Sequence, residues 1–211
     1  MLTKKQLEIF GVFAKNPFGE FTLQMLKEYS EEKSNNALAI AIDQYKKERL
    51  IHVRKIGRSS FYSINFENLS VYSYLSLCTI EQLSNSALRT ISILEEEIGR
   101  TNSFAILILF GSYAVGEHTK NSDMDIALII ENDSGIVPAK VILHTTKRKS
   151  FIPIDGHIFT KEEFIHMIQT EEENVGKQIV RKHRVIRNSK GFYDIVRSAL
   201  RLKTIQNIIT P

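Results

Sequence analysis

Apolar side chains recur along this chain with two different spacings. In the first third they return every three or four positions, which predicts amphipathic helices over residues 3–14, 22–29 and 35–48. The segment LIHVRKIGRSSFYSI then predicts two strands joined by a hairpin turn at Gly57 to Ser60. Three helices followed by a hairpin predict a small separate domain within residues 1–67.

A longer segment, from Leu69 to Arg100, contains no proline and is predicted to be mostly helical. Its apolar positions are spaced by threes and fours, which gives one continuous stripe along a helix. Two interpretations stay open: the stripe packs between domains as a connector over residues 68–100, or it forms a homodimer seam. The stripe comprises Ile80, Leu83, Ala87, Ile91, Leu94 and Ile98.

Strand-length apolar runs begin after this segment. Phe104 to Phe110 is uninterrupted, as expected for a strand covered on both faces. Gly111 breaks the run, and Ser112 can cap a short helix whose free N–H groups suit a phosphate. A second apolar strand, MDIALII, follows. Asp123 and Asp125 lie two residues apart at its start, so alternation places both carboxylates on one face.

Asp125 is the most informative of these positions because every neighbour in MDIALII favours burial. A carboxylate removed from water without a partner is costly, and a second carboxylate beside it adds repulsion. A divalent cation resolves both problems, since hard cations prefer carboxylate oxygens. A phosphate-binding turn that faces a carboxylate-bound metal is typical of phosphoryl or nucleotidyl transfer.

A family resemblance rests on this stretch. Gly111-Ser112, Gly116, Ser122-Asp123 and Asp125 resemble the GS…G…SDxD signature of the polymerase-β-like nucleotidyltransferases, in particular the small prokaryotic ones. The resemblance covers roughly the second half of the chain and implies an α+β fold, with a mixed sheet and flanking helices, over residues 101–211. Many relatives carry an arginine where this chain has Val115, although Lys120 lies nearby in the sequence.

The same resemblance implies a third carboxylate on a later strand, and FIPIDGHIF supplies Asp155. A tight turn at Asp155-Gly156 is the structural alternative. By resemblance, Gly111 and Ser112 hold the phosphates of a nucleoside triphosphate, with ATP as the expected substrate. Mg²⁺ or Mn²⁺ is expected on Asp123, Asp125 and Asp155. A nucleoside monophosphate then passes to a hydroxyl acceptor: a tRNA end, a protein side chain or a small molecule.

Basic residues are frequent between positions 174 and 202, a segment predicted to be helical in parts. Helix packing is the first interpretation, and a substrate-binding surface is the second. The cations are Lys177, Arg181, Lys182, Arg184, Arg187, Lys190, Arg197 and Arg201. A further basic group, Lys147 to Lys149, is predicted in the last turn of a helix over residues 138–149, where cations favour the helix dipole.

The first domain resembles a winged helix-turn-helix, which implies duplex DNA as a partner. In that family the third helix enters the major groove and the hairpin contacts the phosphate backbone. Candidate DNA-binding residues are Asn35, Asn36, Gln44 and Lys46 on the helix, with Arg54, Lys55 and Arg58 on the hairpin. A solvated polar face, a protein-docking module or a dimer module are the alternatives. The fold class expected is therefore α/β with two domains: a winged helix, a helical connector and a nucleotidyltransferase fold.

Composition adds little to this picture. A net charge of +4 is compatible with a nucleotide or nucleic-acid partner without being diagnostic. Cys78 has no second cysteine to pair with, and no secretory or membrane-length apolar run is visible, so a cytoplasmic protein without a membrane partner is expected. A second functional hypothesis is a DNA-binding transcriptional regulator whose transferase-like domain senses nucleotide or mediates dimerisation.

Overall fold

A computed structural model describes residues 1–81, 83–101 and 104–209, with side chains described as far as residue 201. The chain divides into two compact units, Met1–Glu81 and Gln82–Pro211. No helix in the described part of the chain combines the length and the apolar character that a membrane span requires.

The N-terminal unit contains the three predicted helices and the hairpin in the predicted order. Thr3, Thr22 and Ser34 each accept a hydrogen bond from a backbone N–H in the first turn of the helix that follows. These side chains fix where each helix begins, because they satisfy donors that have no partner within the helix. The elements are α1 (Lys4–Lys15), α2 (Leu23–Tyr29), α3 (Asn35–Lys47), β1 (Ile51–Ile56), β2 (Ser59–Ile64) and α4 (Ser70–Ile80).

Aromatic side chains fill the core of this unit. The ring of Phe10 lies 5.6 Å from that of Phe13 and 5.4 Å from that of Tyr45, and all three side chains are fully buried. Tyr45 donates its hydroxyl hydrogen bond to the backbone oxygen of Gln6, which satisfies the one polar atom of this cluster. The strands β1 and β2 pair antiparallel, with Gly57 at a positive φ in their turn.

The segment predicted to be mostly helical, over residues 68–100, contains two helices. The first is α4, which ends at Ile80 and belongs to the N-terminal unit; the second is α5 (Asn85–Arg100), which belongs to the C-terminal unit. Ser84 caps α5, so the chain restarts a helix there. Ala87, Leu94 and Ile98 of the stripe are fully buried in the core of the C-terminal unit. The stripe from Leu83 to Ile98 therefore packs in the C-terminal unit, whereas Ile80 is exposed at the end of α4 in the N-terminal unit.

The C-terminal unit is built on a mixed sheet with strand order β5-β4-β3-β6. The strand β3 pairs antiparallel with both β4 and β6, whereas β4 and β5 are parallel. A short 3-10 turn, Asp133–Gly135, precedes α7. The remaining elements are β3 (Ala105–Phe110), α6 (Gly111–Val115), β4 (Met124–Ile130), α7 (Ile136–Lys149), β5 (Ile154–Thr160), α8 (Lys161–Gln169), α9 (Val175–Arg181), β6 (His183–Arg187) and α10 (Ser189–Ile209).

Helices cover both faces of this sheet. Alternate residues of β3 and β4, such as Leu107 and Leu128, pack in one core with α5 and α7. The intervening residues face the other way, where α8 and α10 pack on each other and on the sheet. Every side chain of β3 is buried, as its uninterrupted apolar run predicts.

One strand was not predicted. The segment HRVIR, taken from its sequence as part of a helical and basic region, forms the edge strand β6. Its Val185 is buried against β3, and the antiparallel register places His183 beside Phe110. Tertiary pairing with an exposed sheet edge thus overrides the helical prediction for this segment.

Candidate active site

Asp125 lies at the centre of the candidate site, as the second residue of β4. Its Cα is paired with Phe110 of β3 on one side and with Asp155 of β5 on the other. Residues paired across neighbouring strands project from the same face of a sheet, so the carboxylates of Asp125 and Asp155 lie side by side. The prediction that β5 carries an acid to this place agrees with that register, and Asp155 is within a strand rather than in a tight turn.

The surroundings of Asp125 oppose its ionisation. Burial raises the pKa of its carboxyl, and repulsion from Asp155 and, more weakly, from Asp123 raises it further. His157 acts in the opposite direction and lowers that pKa. A carboxylate whose charge is disfavoured by burial and by like charges is a candidate for cation binding.

Gly111 is held against this carboxylate. It begins α6 with φ of +66°, a conformation that favours glycine. A Cβ atom added there would overlap Oδ2 of Asp125 and lie 2.9 Å from its Cγ. Both the backbone conformation and the close approach of Asp125 therefore require glycine at this turn.

Ser112 does not cap α6, contrary to the capping prediction. The helix already begins at Gly111, and no side chain caps its first turn. The residue Ser112 instead lies inside the helix, where its backbone oxygen accepts from the N–H of Gly116. The helix is only five residues long, so few peptide dipoles align in it and its N-terminus is a weak source of positive charge.

Asp123 and Asp155 stand at the exposed side of the site. Asp123 is exposed just before β4, and its charge contributes to raising the pKa of Tyr113, after burial of that tyrosine. The side chain of Asp155 is 56% exposed, with its Oδ2 3.4 Å from Nε2 of His157. Among the described residues, no three His, Cys, Asp or Glu side chains are close enough together to hold a metal ion.

A cavity of about 350 Å³ opens beside Asp125. Phe110 and Asp125 line it from the sheet and Gly111 from α6. On the opposite side, Gln178 and Arg181 line it from α9, and Lys182 lines it directly after the end of α9. From the sequence, Arg181 and Lys182 were named only as part of a basic segment that could form a substrate-binding surface, and Gln178 was not named. Recognition of β6 as a strand would have placed these residues at the site. The antiparallel pairing of β6 with β3 brings the residues before β6 next to the end of β3.

Comparison with known proteins adds one finding. Residues 93–191 match the family Polymerase beta, Nucleotidyltransferase. The match runs from within α5 to the start of α10 and contains the whole sheet, so it supports a nucleotidyltransferase domain in the C-terminal unit. No curated protein and no solved structure matches the chain.

Two buried polar residues of β6 connect elements of the C-terminal unit near the candidate site. His183 is buried, and its Nδ1 lies 3.0 Å from the backbone oxygens of Ile179 and Val180 in α9. Burial lowers the pKa of His183 to about 4, so the ring is neutral at physiological pH. Arg184 donates from Nε to the backbone oxygen of Ala114, which attaches β6 to the C-terminal end of α6.

The predicted DNA-binding residues lie in the N-terminal unit, on α3 and on the hairpin. Asn35, Asn36 and Lys46 are exposed on α3, and Lys55 and Arg58 are exposed on the hairpin. Four members of the set already have protein partners. Gln44 donates to Oε1 of Glu48 at 2.6 Å, and Arg54 forms an ion pair with Glu20. Asn35 accepts from Nζ of Lys27 at 2.7 Å, and Lys46 lies 3.6 Å from the carboxylate of Asp43.

Proposed function

We propose that the C-terminal unit is an active, Mg²⁺-dependent nucleotidyltransferase that transfers AMP from ATP to a hydroxyl acceptor. The observation that carries this proposal is the pairing of Asp125 with Asp155 across β4 and β5, directly beside the glycine turn at Gly111. The family match supports nucleotidyl transfer in general. ATP as the donor, Mg²⁺ as the metal and the individual roles of the residues belong to the proposal.

The side chains present fit a divalent cation. Asp125, Asp155 and Asp123 offer only carboxylate oxygens, which Mg²⁺ and Mn²⁺ prefer. Burial and neighbouring acids raise the pKa of Asp125, so a cation there would relieve an unfavourable charge. A bound divalent ion would neutralise the phosphates and polarise the phosphorus that is attacked.

The protein residues have separate tasks in this proposal. Gly111 leaves room for the carboxylate of Asp125, and its turn presents backbone N–H groups to the phosphates. Asp155 orients the acceptor hydroxyl and takes its proton as the hydroxyl oxygen bonds to the α-phosphorus. The bond from that phosphorus to the bridging oxygen breaks, and pyrophosphate leaves.

The direct test is incubation of the protein with cell extract and ATP labelled in its α-phosphate. We expect label on one class of molecule, which identifies the acceptor as a tRNA end, a protein or a small molecule. The Asp125→Asn variant should transfer no label and should lose Mg²⁺-dependent ATP binding. Asp133→Asn, an equal charge change at an exposed turn, is the control and should behave as wild type. Undiminished Mg²⁺-dependent binding by Asp125→Asn would refute the metal site.

A second function is proposed for the N-terminal unit: binding of duplex DNA as a winged helix. The observation that favours it is the exposure of Lys55 and Arg58 on the hairpin, where phosphates are accessible to them. Asn35 and Asn36 are exposed at the start of α3, and asparagine can read adenine edges in the major groove. If DNA binding is the main activity, the C-terminal unit then acts as a nucleotide sensor or dimerisation module of a regulator.

A further inference from the structure

The cavity beside Asp125 has two walls of opposite charge. The sheet wall contributes the carboxylate of Asp125. The opposite wall, called the α9 wall, is formed by Gln178 and Arg181 of α9 and by Lys182 directly after it. A volume of about 350 Å³ is in the range of small-molecule sites. A ligand that fills this cavity has to satisfy two cations on one side.

The glycine turn provides little positive charge of its own. The helix α6 has five residues, GSYAV, none of which is charged. A phosphate chain bound at this turn would therefore depend on cations from another element. Of the cationic side chains described, Arg181 and Lys182 are those that line the cavity together with Gly111.

Arg181 is held by an ion pair that can be exchanged. Its guanidinium bonds to both carboxylate oxygens of Glu173, at 2.7 and 3.0 Å. The two side chains are 63% and 54% exposed, and ion pairs with this exposure contribute little to stability. The planar fork that binds a carboxylate in this way binds a phosphate equally well.

We infer that Arg181 and Lys182 bind the phosphate chain of the nucleotide, and that Glu173 competes with this chain for Arg181. The inference rests on the proposed function, because it assigns these residues to the same site. Gln178 adds an amide donor to the same wall. In this inference the phosphates bind to the α9 wall of the cavity, while Asp125 lies on the opposite wall.

The test uses the intact protein and inorganic tripolyphosphate in the presence of EDTA, so that no metal contributes. We expect the double variant Arg181→Ala, Lys182→Ala to weaken tripolyphosphate binding about tenfold or more, measured by calorimetry. The matched control is Arg148→Ala, Lys147→Ala, which removes the same two residue types from the exposed last turn of α7. The control should change affinity less than about twofold, because those residues lie outside the cavity.

A second pair of variants tests the competition. Glu173→Gln should bind tripolyphosphate several times more tightly than wild type, because Arg181 is released. Glu172→Gln removes one charge from the neighbouring exposed residue and should produce a smaller gain. Equal gains in the two variants would mean that only the general charge of the surface matters, and would overturn the role of Glu173.

The outcomes separate this inference from the proposed function. Loss of tripolyphosphate binding in the α9 variant without label transfer by wild type would refute the transferase and keep the phosphate site. Label transfer by wild type together with unchanged tripolyphosphate affinity in the α9 variant would refute the site alone. A variant that loses binding of a single-stranded oligonucleotide but retains tripolyphosphate would show that α9 binds the acceptor backbone, which also overturns the inference.

Discussion

The acidic site of the C-terminal unit and the basic surface of the N-terminal unit differ in how their side chains are held. Asp125 and Asp155 are positioned by the register of a sheet whose β3 and β4 are almost fully buried. Lys55 and Arg58 extend into solvent from a hairpin with no protein partner that would fix their ends among the described contacts. The fold therefore fixes where the acidic groups of the C-terminal unit lie, whereas on the hairpin it fixes only the sign and number of the charges.

This difference teaches what each region is able to do. Catalysis requires reacting groups to be held within fractions of an ångström, which a buried sheet achieves and a solvated side chain does not. Binding to a phosphate backbone is tolerant of position because it depends mainly on the number of cations. Substitutions in the two regions should consequently differ in both the size and the kind of their effects.

The largest effect is expected from Gly111→Ala. The new Cβ overlaps the carboxylate of Asp125, so nucleotidyl transfer should fall about a hundredfold or more, as measured by label transfer. Gly116→Ala is the control, since Gly116 also has a positive φ but a Cβ there meets nothing within 4 Å. Equal losses in the two variants would show that backbone strain, rather than displacement of Asp125, is responsible.

The next effect concerns the core of the N-terminal unit. Phe10→Ala removes a fully buried ring from the cluster with Phe13 and Tyr45, and should lower the free energy of unfolding by about 3–5 kcal/mol. Urea unfolding followed by tyrosine fluorescence measures this loss. ATP binding by the C-terminal unit should be unchanged at a urea concentration that unfolds only the N-terminal unit. Loss of ATP binding there would show that the two units are not independent.

A moderate effect of pH is expected on the stability of the C-terminal unit. Burial lowers the pKa of His183 to about 4, below its value in the unfolded chain. The unfolded state then binds the proton first, so stability falls as pH decreases from about 6.5 to about 4, by up to about 3 kcal/mol. Urea unfolding at a series of pH values should show this slope in wild type and in His144→Gln, an exposed control on α7. The slope should be reduced in His183→Gln; the same slope in all three proteins would contradict the assignment.

The smallest effect concerns the hairpin. Lys55→Ala should lower the slope of log affinity against log salt concentration for duplex DNA by about one, because one phosphate contact is lost. Its free energy of unfolding should change by no more than about 0.5 kcal/mol. Arg54→Ala should reduce it less, because Glu20 already pairs with Arg54. The triple variant Arg54→Ala, Lys55→Ala, Arg58→Ala should bind most weakly. Affinity measured over a range of salt concentrations checks the order, and absence of duplex binding at low salt would remove the regulator hypothesis.

Local patterns in the sequence predicted most of the elements. Thr3, Thr22 and Ser34, and the capping box of Thr160 with Glu163, begin their helices through hydrogen bonds to neighbours in the sequence. The strands carrying Asp125 and Asp155 were visible because an acid in an apolar run is rare. Alternation along one strand did not predict that the two acids pair across β4 and β5, because this pairing depends on the register between the strands.

Apart from the capping prediction for Ser112, the misses share one physical cause, which is pairing between distant segments. HRVIR has no strong local strand signal and becomes β6 only because β3 offers an edge. The cations Arg181 and Lys182 were visible as basic residues, but their place beside Gly111 follows from β6 alone. Similarly, the stripe of α5 was recognised, whereas its burial against the sheet depends on β3 and β4.

The strand β6 also has a consequence for synthesis on the ribosome. Because β6 is the last strand of this sheet in chain order but borders β3, the first, a nascent chain that has emerged only through β5 exposes one open edge of β3. Such an intermediate already contains its acids but lacks the opposite wall of the cavity. Competence to hold a nucleotide should therefore arrive late and abruptly in translation, after residue 187 has left the exit tunnel.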